Sequence, residues 1–236
     1  MSPRRGPDLP YSLVAGVTPL GSGWLVSSAK IAGATFAPEP PKTYPTFLEV
    51  LGERPAFSIL VVNAPIGYLD RPEAGPRTCD LEARELLGRR GSVIQNAPCR
   101  AVLSGELSWQ EAGLDAITAT MLPRYREVAD EMSPYRQRAI YEGNPELSFY
   151  QLNKDSPIVL SKRKESGRDE RREVLLDRIP GIDKVIDVDL PFVRPKHLND
   201  AAALMWTARR VFGRAARRLP KEVEWDSEGL RMEIVI

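Results

Sequence analysis

The chain has one histidine, His197, and two cysteines, Cys79 and Cys99, among its 236 residues. A lone histidine excludes a histidine-built metal centre and a Ser/His/Asp triad. Any chemistry must therefore rest on carboxylates, hydroxyls and backbone groups. The two cysteines are too few and too far apart for a zinc cluster. With no secretion signal ahead of them they read as reduced thiols, so the expected location is cytoplasmic. No apolar run approaches the roughly 18 residues of a membrane span, so no membrane association is expected. The opening Met-Ser-Pro-Arg-Arg-Gly-Pro lacks a following apolar segment and reads as a disordered lead over 1–10. Residues 11–236 show no repeat, low-complexity linker or change of composition, and are expected to form a single α/β domain. The formal net charge is only +1, which argues against tight non-specific binding to DNA.

Residues 12–18 are apolar and β-favouring, followed by a Pro-Leu-Gly-Ser-Gly turn and a second such run from Trp24, which predicts a hairpin. A third strand is expected over 30–36, and a short helix over 43–53. The run 57–63 is continuously apolar up to Asn63, as in a strand covered on both faces. Helices are expected over 78–88 with Thr78 as N-cap, over 106–131 with an interruption near Pro123, from Pro145, over 168–178, and over 200–218 with Asp200 at its start. A short strand is expected at 139–142, and an alternating edge strand at 231–236. Together these predict a mixed sheet with helices on its faces.

Charge is unevenly spread. Between 201 and 221 lie Arg209, Arg210, Arg214, Arg217, Arg218 and Lys221 without an acid. The run is either a solvated helix face or a phosphate contact. Arg77, Arg84, Arg90 and Arg100 share their stretch with Asp80, Glu82 and Glu85. They serve either ion pairs or, through the planar guanidinium fork, phosphate. Lys162 and Arg168 flank Gly167 in a segment that could face phosphate as a loop. Trp24, Trp109 and Trp206 are expected in the core.

Several long motifs in order resemble the predicted-nuclease family known as domain of unknown function 429. They are NAPIGY (63–68), RTCDLEARELLGRRGSVIQNAPCRAVL (77–103), YEGNPELSFYQLN (141–153) and SKRKESGRDERREVLL (161–176). The resemblance runs from about Gly16 to Arg178, with a weaker echo at Asp200. It implies a ribonuclease-H-like mixed sheet flanked by helices, with a helical insertion. It also implies an acidic site at the carboxyl ends of neighbouring strands holding Mg²⁺ or Mn²⁺ for phosphodiester hydrolysis, in which paired ions neutralise charge and activate water.

The chain departs from that pattern at its acids. Thr18 and Asn63 stand where the family usually has Asp, and Lys196 and His197 replace an acidic pair before the last long helix. Glu142, Glu146 and Asp200 remain. Carried over, Glu142 and Asp200 are the expected metal ligands and, with Asn63, the catalytic set. Arg77, Arg84, Arg90, Arg100, Lys162 and Arg168 are the expected phosphate contacts. Each acid also has a structural reading: Glu142 holding the Asn144-Pro145 turn, Glu146 countering a helix dipole, Asp200 capping a helix. Three functions therefore stay open. One is a metal-dependent nuclease or nucleic-acid binder, another a catalytically silent binding protein, and the third a binder or hydrolase of a small phosphorylated ligand.

Overall fold

The computed structural model describes residues 10–236, so the lead expected over 1–10 lies, Pro10 apart, outside the described residues. Strand β1 (Ser12–Leu20) turns through Gly21 and Ser22 into β2 (Gly23–Ala32), pairing antiparallel from Ser12 opposite Ile31 to Leu20 opposite Gly23. β3 (Thr35–Pro38) and β4 (Lys42–Tyr44) both pair with β2. Thr43 and Tyr44 are thus strand, where helix was expected. Helix α1 (Phe47–Gly52) begins only after Thr46, whose hydroxyl accepts the Glu49 N–H.

The apolar run continues as β5 (Ile59–Val62), parallel to β1, and β6 (Ile140–Glu142) is parallel to β5. The sheet order is β3-β2-β1-β5-β6. Between β5 and β6 lie α2 (Thr78–Leu87), α3 (Arg100–Ser104) and α4 (Ala116–Glu131). Helix was expected from 106, but Gly113 sits at φ +67 and Asp115 caps α4 by accepting the Thr118 N–H. Pro123 is accommodated inside α4.

After β6 come α5 (Pro145–Leu152), α6 (Glu165–Arg178), α7 (Asp183–Ile186) and α8 (Pro195–Phe212). The last helix starts earlier than expected because Pro195 takes its first position, where a missing N–H costs nothing. It also stops earlier, at Gly213 and Arg214, the latter at φ +57. The chain then forms an antiparallel ribbon, β7 (Arg218–Trp225) with β8 (Arg231–Val235). β8 was expected as an alternating edge strand. Instead Met232–Val235 are all buried, and a parallel bridge from Val235 to Gly143 ties the ribbon to the tip of β6.

Strand alternation divides the core between two faces. Val14, Val61 and Tyr141 pack with Ala202, Leu204, Met205 and Ala208 of α8 and with α6 and α7. Ala15, Val17, Leu60, Val62 and Ile140 pack with Phe47 and Val50 of α1 and Val128 of α4. Trp24 is fully buried on this second face and donates its ring N–H to Glu127 at 2.8 Å. β1 and α8 touch backbone to backbone at Gly16.

Candidate functional site

The tips of β1, β5 and β6 are neighbours, as expected: Asn63 N–H donates to Val17 O at 2.8 Å, and Gly143 N–H to Val62 O at 3.0 Å. The same pairing separates the side chains. Glu142 is opposite Val62 in register and lies with Ile140 on the α1/α4 face. Asn63 is one residue further on and points to the α8 face, where its amide donates to the Thr18 hydroxyl at 3.4 Å. Asp200 is on α8 itself. The two expected metal ligands, Glu142 and Asp200, thus belong to opposite faces of the sheet and share no partner.

Glu142 is held by the motifs that carry the family resemblance. Gly67, at φ +80, lets the NAPIGY turn double back so that Ile66 N–H donates to Glu142 Oε2 at 2.7 Å. Arg77 forks onto the same carboxylate at 2.6 and 2.8 Å, and onto Asp80 at 2.8 and 3.0 Å. Arg77, Asp80 and Glu142 are all buried. Burial pushes the Glu142 carboxyl up to about 7, against the opposing charge and hydrogen bonds of Arg77. Asp80, one of the acids with which the arginines of this stretch could pair, holds Arg77. Thr78 is not the N-cap: Arg77 is, and the Thr78 hydroxyl donates to Glu224 at 2.7 Å.

Glu146 lies in the first turn of α5, capped by Asn144, whose side chain accepts the Glu146 N–H at 2.9 Å. Its carboxylate receives Arg171 at 2.6 Å, with Lys162 at 3.5 Å and Arg90 at 3.8 Å. Burial raises its pKa, but these cations outweigh it and hold Glu146 below the usual carboxylate range. Asp200 is not a cap, because α8 begins at Pro195. It lies within the helix, where it accepts Lys162 Nζ at 2.7 Å, and burial pushes its carboxyl up despite that lysine.

A cavity of about 480 Å³ opens at the tips of β5 and β6. Arg77, Arg90, Lys162, Arg163 and Lys196 line it, against Asp80, Glu142 and Glu146. Among the described residues Arg163 and Lys196 make no ion pair, whereas every acid named has a cationic partner. Lys196 is held below the usual ammonium range by burial and by the neighbouring charges of Lys162, Arg194 and Arg163. Three of the expected phosphate contacts turn elsewhere. Arg84 donates to Ile94 O and Asn96, Arg100 binds Asp226, and Arg168 donates to Arg163 O. Arg168 stands on α6, because Gly167 continues the helix instead of opening a loop. Most of the basic run after 201 is also committed: Arg217 pairs with Asp155, Arg218 with Glu233, Arg210 donates to Gln151 and to the Ala215 carbonyl, and Arg209 covers Phe36, while Arg214 and Lys221 make no ion pair among the described residues.

These acids do not fit a divalent ion as they are disposed. Mg²⁺ and Mn²⁺ need converging oxygens whose charge is uncompensated. Here each carboxylate is already paired, and among the described residues no three His, Cys, Asp or Glu side chains are grouped to hold a metal. The sequence alone singles out neither Arg163 nor Arg171. The available signal is the dense run 161–172, in which Glu165, Asp169 and Glu170 stand among the basic residues.

His197 is half-buried, and its Nδ1 accepts the Arg194 N–H at 3.2 Å. Burial, with Lys196, Lys162 and Arg194 nearby, lowers its pKa from the ordinary 6.5 to about 4. The fold therefore favours neutral imidazole, and this contribution to stability is present above pH 6.5 and lost as pH falls toward 4. As the only histidine it gives an unambiguous proton NMR titration. A midpoint near 4 is expected, and an unshifted one would show that the cations do not crowd this end of α8.

The fold and site define a mixed α/β domain with a cation-lined cavity at the tips of its central parallel strands. The chain belongs to the family described as protein of unknown function DUF429, which it matches over residues 16–224. No curated protein and no solved structure matches it.

Proposed function

We propose that this chain is a ribonuclease-H-like relative that binds a small phosphorylated ligand in the strand-tip cavity and does not hydrolyse it by two-metal chemistry. The fold part of this reading is supported by a mixed sheet in which an antiparallel hairpin adjoins two parallel strands, with helices on both faces. The functional part is carried by one observation: every buried acid at the cavity is neutralised internally, while Arg163 and Lys196 remain without an anionic partner among the described residues. A cavity of about 480 Å³ suits a small ligand. Nucleic acid is the less favoured partner, because four of the six cations after 201 are engaged within the chain and the net charge is only +1.

Titration with inorganic phosphate and with mononucleotides, followed by calorimetry, tests this directly. Binding of one ligand per chain is expected. Lys196→Ala or Arg90→Ala should weaken it by roughly 10–100-fold, the worth of one charge-assisted hydrogen bond. Absence of binding at millimolar phosphate or nucleotide would remove the proposal. Oligonucleotides bound far more tightly than mononucleotides, with steep salt dependence, would turn it toward nucleic acid.

A further inference from the structure

Glu146 on α5 and Asp200 on α8 face one another across the side chain of Lys162. The ammonium nitrogen lies 2.7 Å from Asp200 Oδ2 and 3.5 Å from Glu146 Oε1. Glu146 is 7% and Asp200 4% exposed. One oxygen of each, Glu146 Oε1 and Asp200 Oδ1, is buried without a hydrogen-bond partner. Buried carboxylate oxygens of this kind are tolerated only beside positive charge. Among the described residues, Lys162 is the one cation that pairs with both acids.

We infer that the Lys162 ammonium is a built-in cation, occupying the space a divalent ion would need between Glu146 and Asp200, so that the site receives its ligand without metal. The ligand half of this inference rests on the phosphate-binding reading above; the metal half does not. Charge supports it. Lys162, Arg171 and Arg90 already meet the two carboxylates, and a dication added beside them would also meet Lys196 and Arg163. Geometry supports it too. Contacts of 2.7 and 3.5 Å are those of an ammonium, whereas Mg²⁺ would draw its oxygens in to about 2.1 Å. Removing the lysine nitrogen leaves Asp200 without its cationic partner, while Arg171 and Arg90 still serve Glu146, and opens a space for an ion with its waters. The lysine is thus what separates this site from a divalent-cation site.

The experiment titrates Mn²⁺ into the full chain and follows free Mn²⁺ by electron paramagnetic resonance. Wild type should bind none at Glu146 and Asp200 at millimolar metal, and chelator should leave its phosphate binding unchanged. Lys162→Ala should take up one Mn²⁺ per chain, at least about tenfold tighter than wild type, since even outer-sphere changes move metal affinity by 10–100-fold. The gain should vanish in Lys162→Ala combined with Asp200→Asn. Lys162→Gln, whose longer side chain carries an uncharged amide donor toward Asp200, covers the case in which the alanine variant does not fold. Stoichiometric Mn²⁺ on wild type that Asp200→Asn removes would overturn the inference. So would folded lysine variants that gain no Mn²⁺, or phosphate binding that requires metal. If wild type binds no phosphate while the lysine variants gain Mn²⁺, the phosphate-binding reading fails and the built-in cation stands.

Discussion

Replacing Arg77 by alanine is expected to cost about 3–5 kcal/mol of stability, the usual consequence of stripping one partner from a buried ion pair. Arg77 is 3% exposed and serves two acids at once, Glu142 at 2.6 Å and Asp80 at 2.8 Å. It also donates to the carbonyls of Ile66 and Gly67 at 3.3 and 3.1 Å. Truncation leaves two buried carboxylates uncompensated and loosens the turn that positions Ile66. Lysine is no substitute, because a single ammonium cannot fork onto both carboxylates. Urea unfolding of wild type, Arg77→Ala and Arg77→Lys measures the effect. The deficit of the alanine variant should shrink as pH falls, because the stranded carboxylates protonate and cease to be buried charges. A deficit below about 1 kcal/mol, the scale of an exposed pair, would show that Arg77 is not the keystone of this site.

Gly16→Ala should be at least as damaging. A Cβ there would lie 2.1 Å from Met205 N, 2.2 Å from Ala201 O and 2.6 Å from Leu204 C. All three are backbone atoms of α8, so no side-chain rotation relieves the clash and the helix must move as a body. A loss above about 4 kcal/mol is expected, in the tail reserved for such mechanisms. Displacing α8 also carries Asp200 away from Lys162, so phosphate binding should fall with stability. Gly21→Ala is the control. An added Cβ at Gly21 meets nothing within 4 Å, and a change within about 0.5 kcal/mol is expected there. Thermal unfolding of both variants decides the matter. Equal, small losses would mean that β1 and α8 are not in backbone contact.

The main elements were legible because each is written in local pattern. The apolar run 57–63 reads as a doubly covered strand and becomes β5. The Asn144-Pro145 start of α5 reads directly as cap and first position. The failures have equally specific causes. Residues 43 and 44 read as helix because their strand partners, Trp24 and Leu25, lie about 20 positions earlier in the chain. β7 escaped notice because its basic residues continue the composition of the helix before it. Asp200 read as a cap because Pro195, the true helix opener, was overlooked.

The candidate site was less legible than the fold. Thr18, Asn63 and Glu142 lie at neighbouring tips, as the family resemblance implied. Their facing was not legible, because it depends on a one-residue register between β5 and β6. Of the arginines and lysines nominated for phosphate, Arg77, Arg90 and Lys162 line the cavity and Arg84, Arg100 and Arg168 do not.

By itself the amino-acid sequence determined that this is a mixed α/β domain of the DUF429 family, with little histidine or cysteine chemistry open to it. Composition and local periodicity suffice for the fold class, and the long ordered motifs for the family. Only the tertiary structure decided which acid meets which cation: Glu142 with Arg77 over 65 positions, Asp200 with Lys162 over 38. Ion pairing acts through space at a few ångströms, and no pattern along the chain carries the distance between residues that folding brings together.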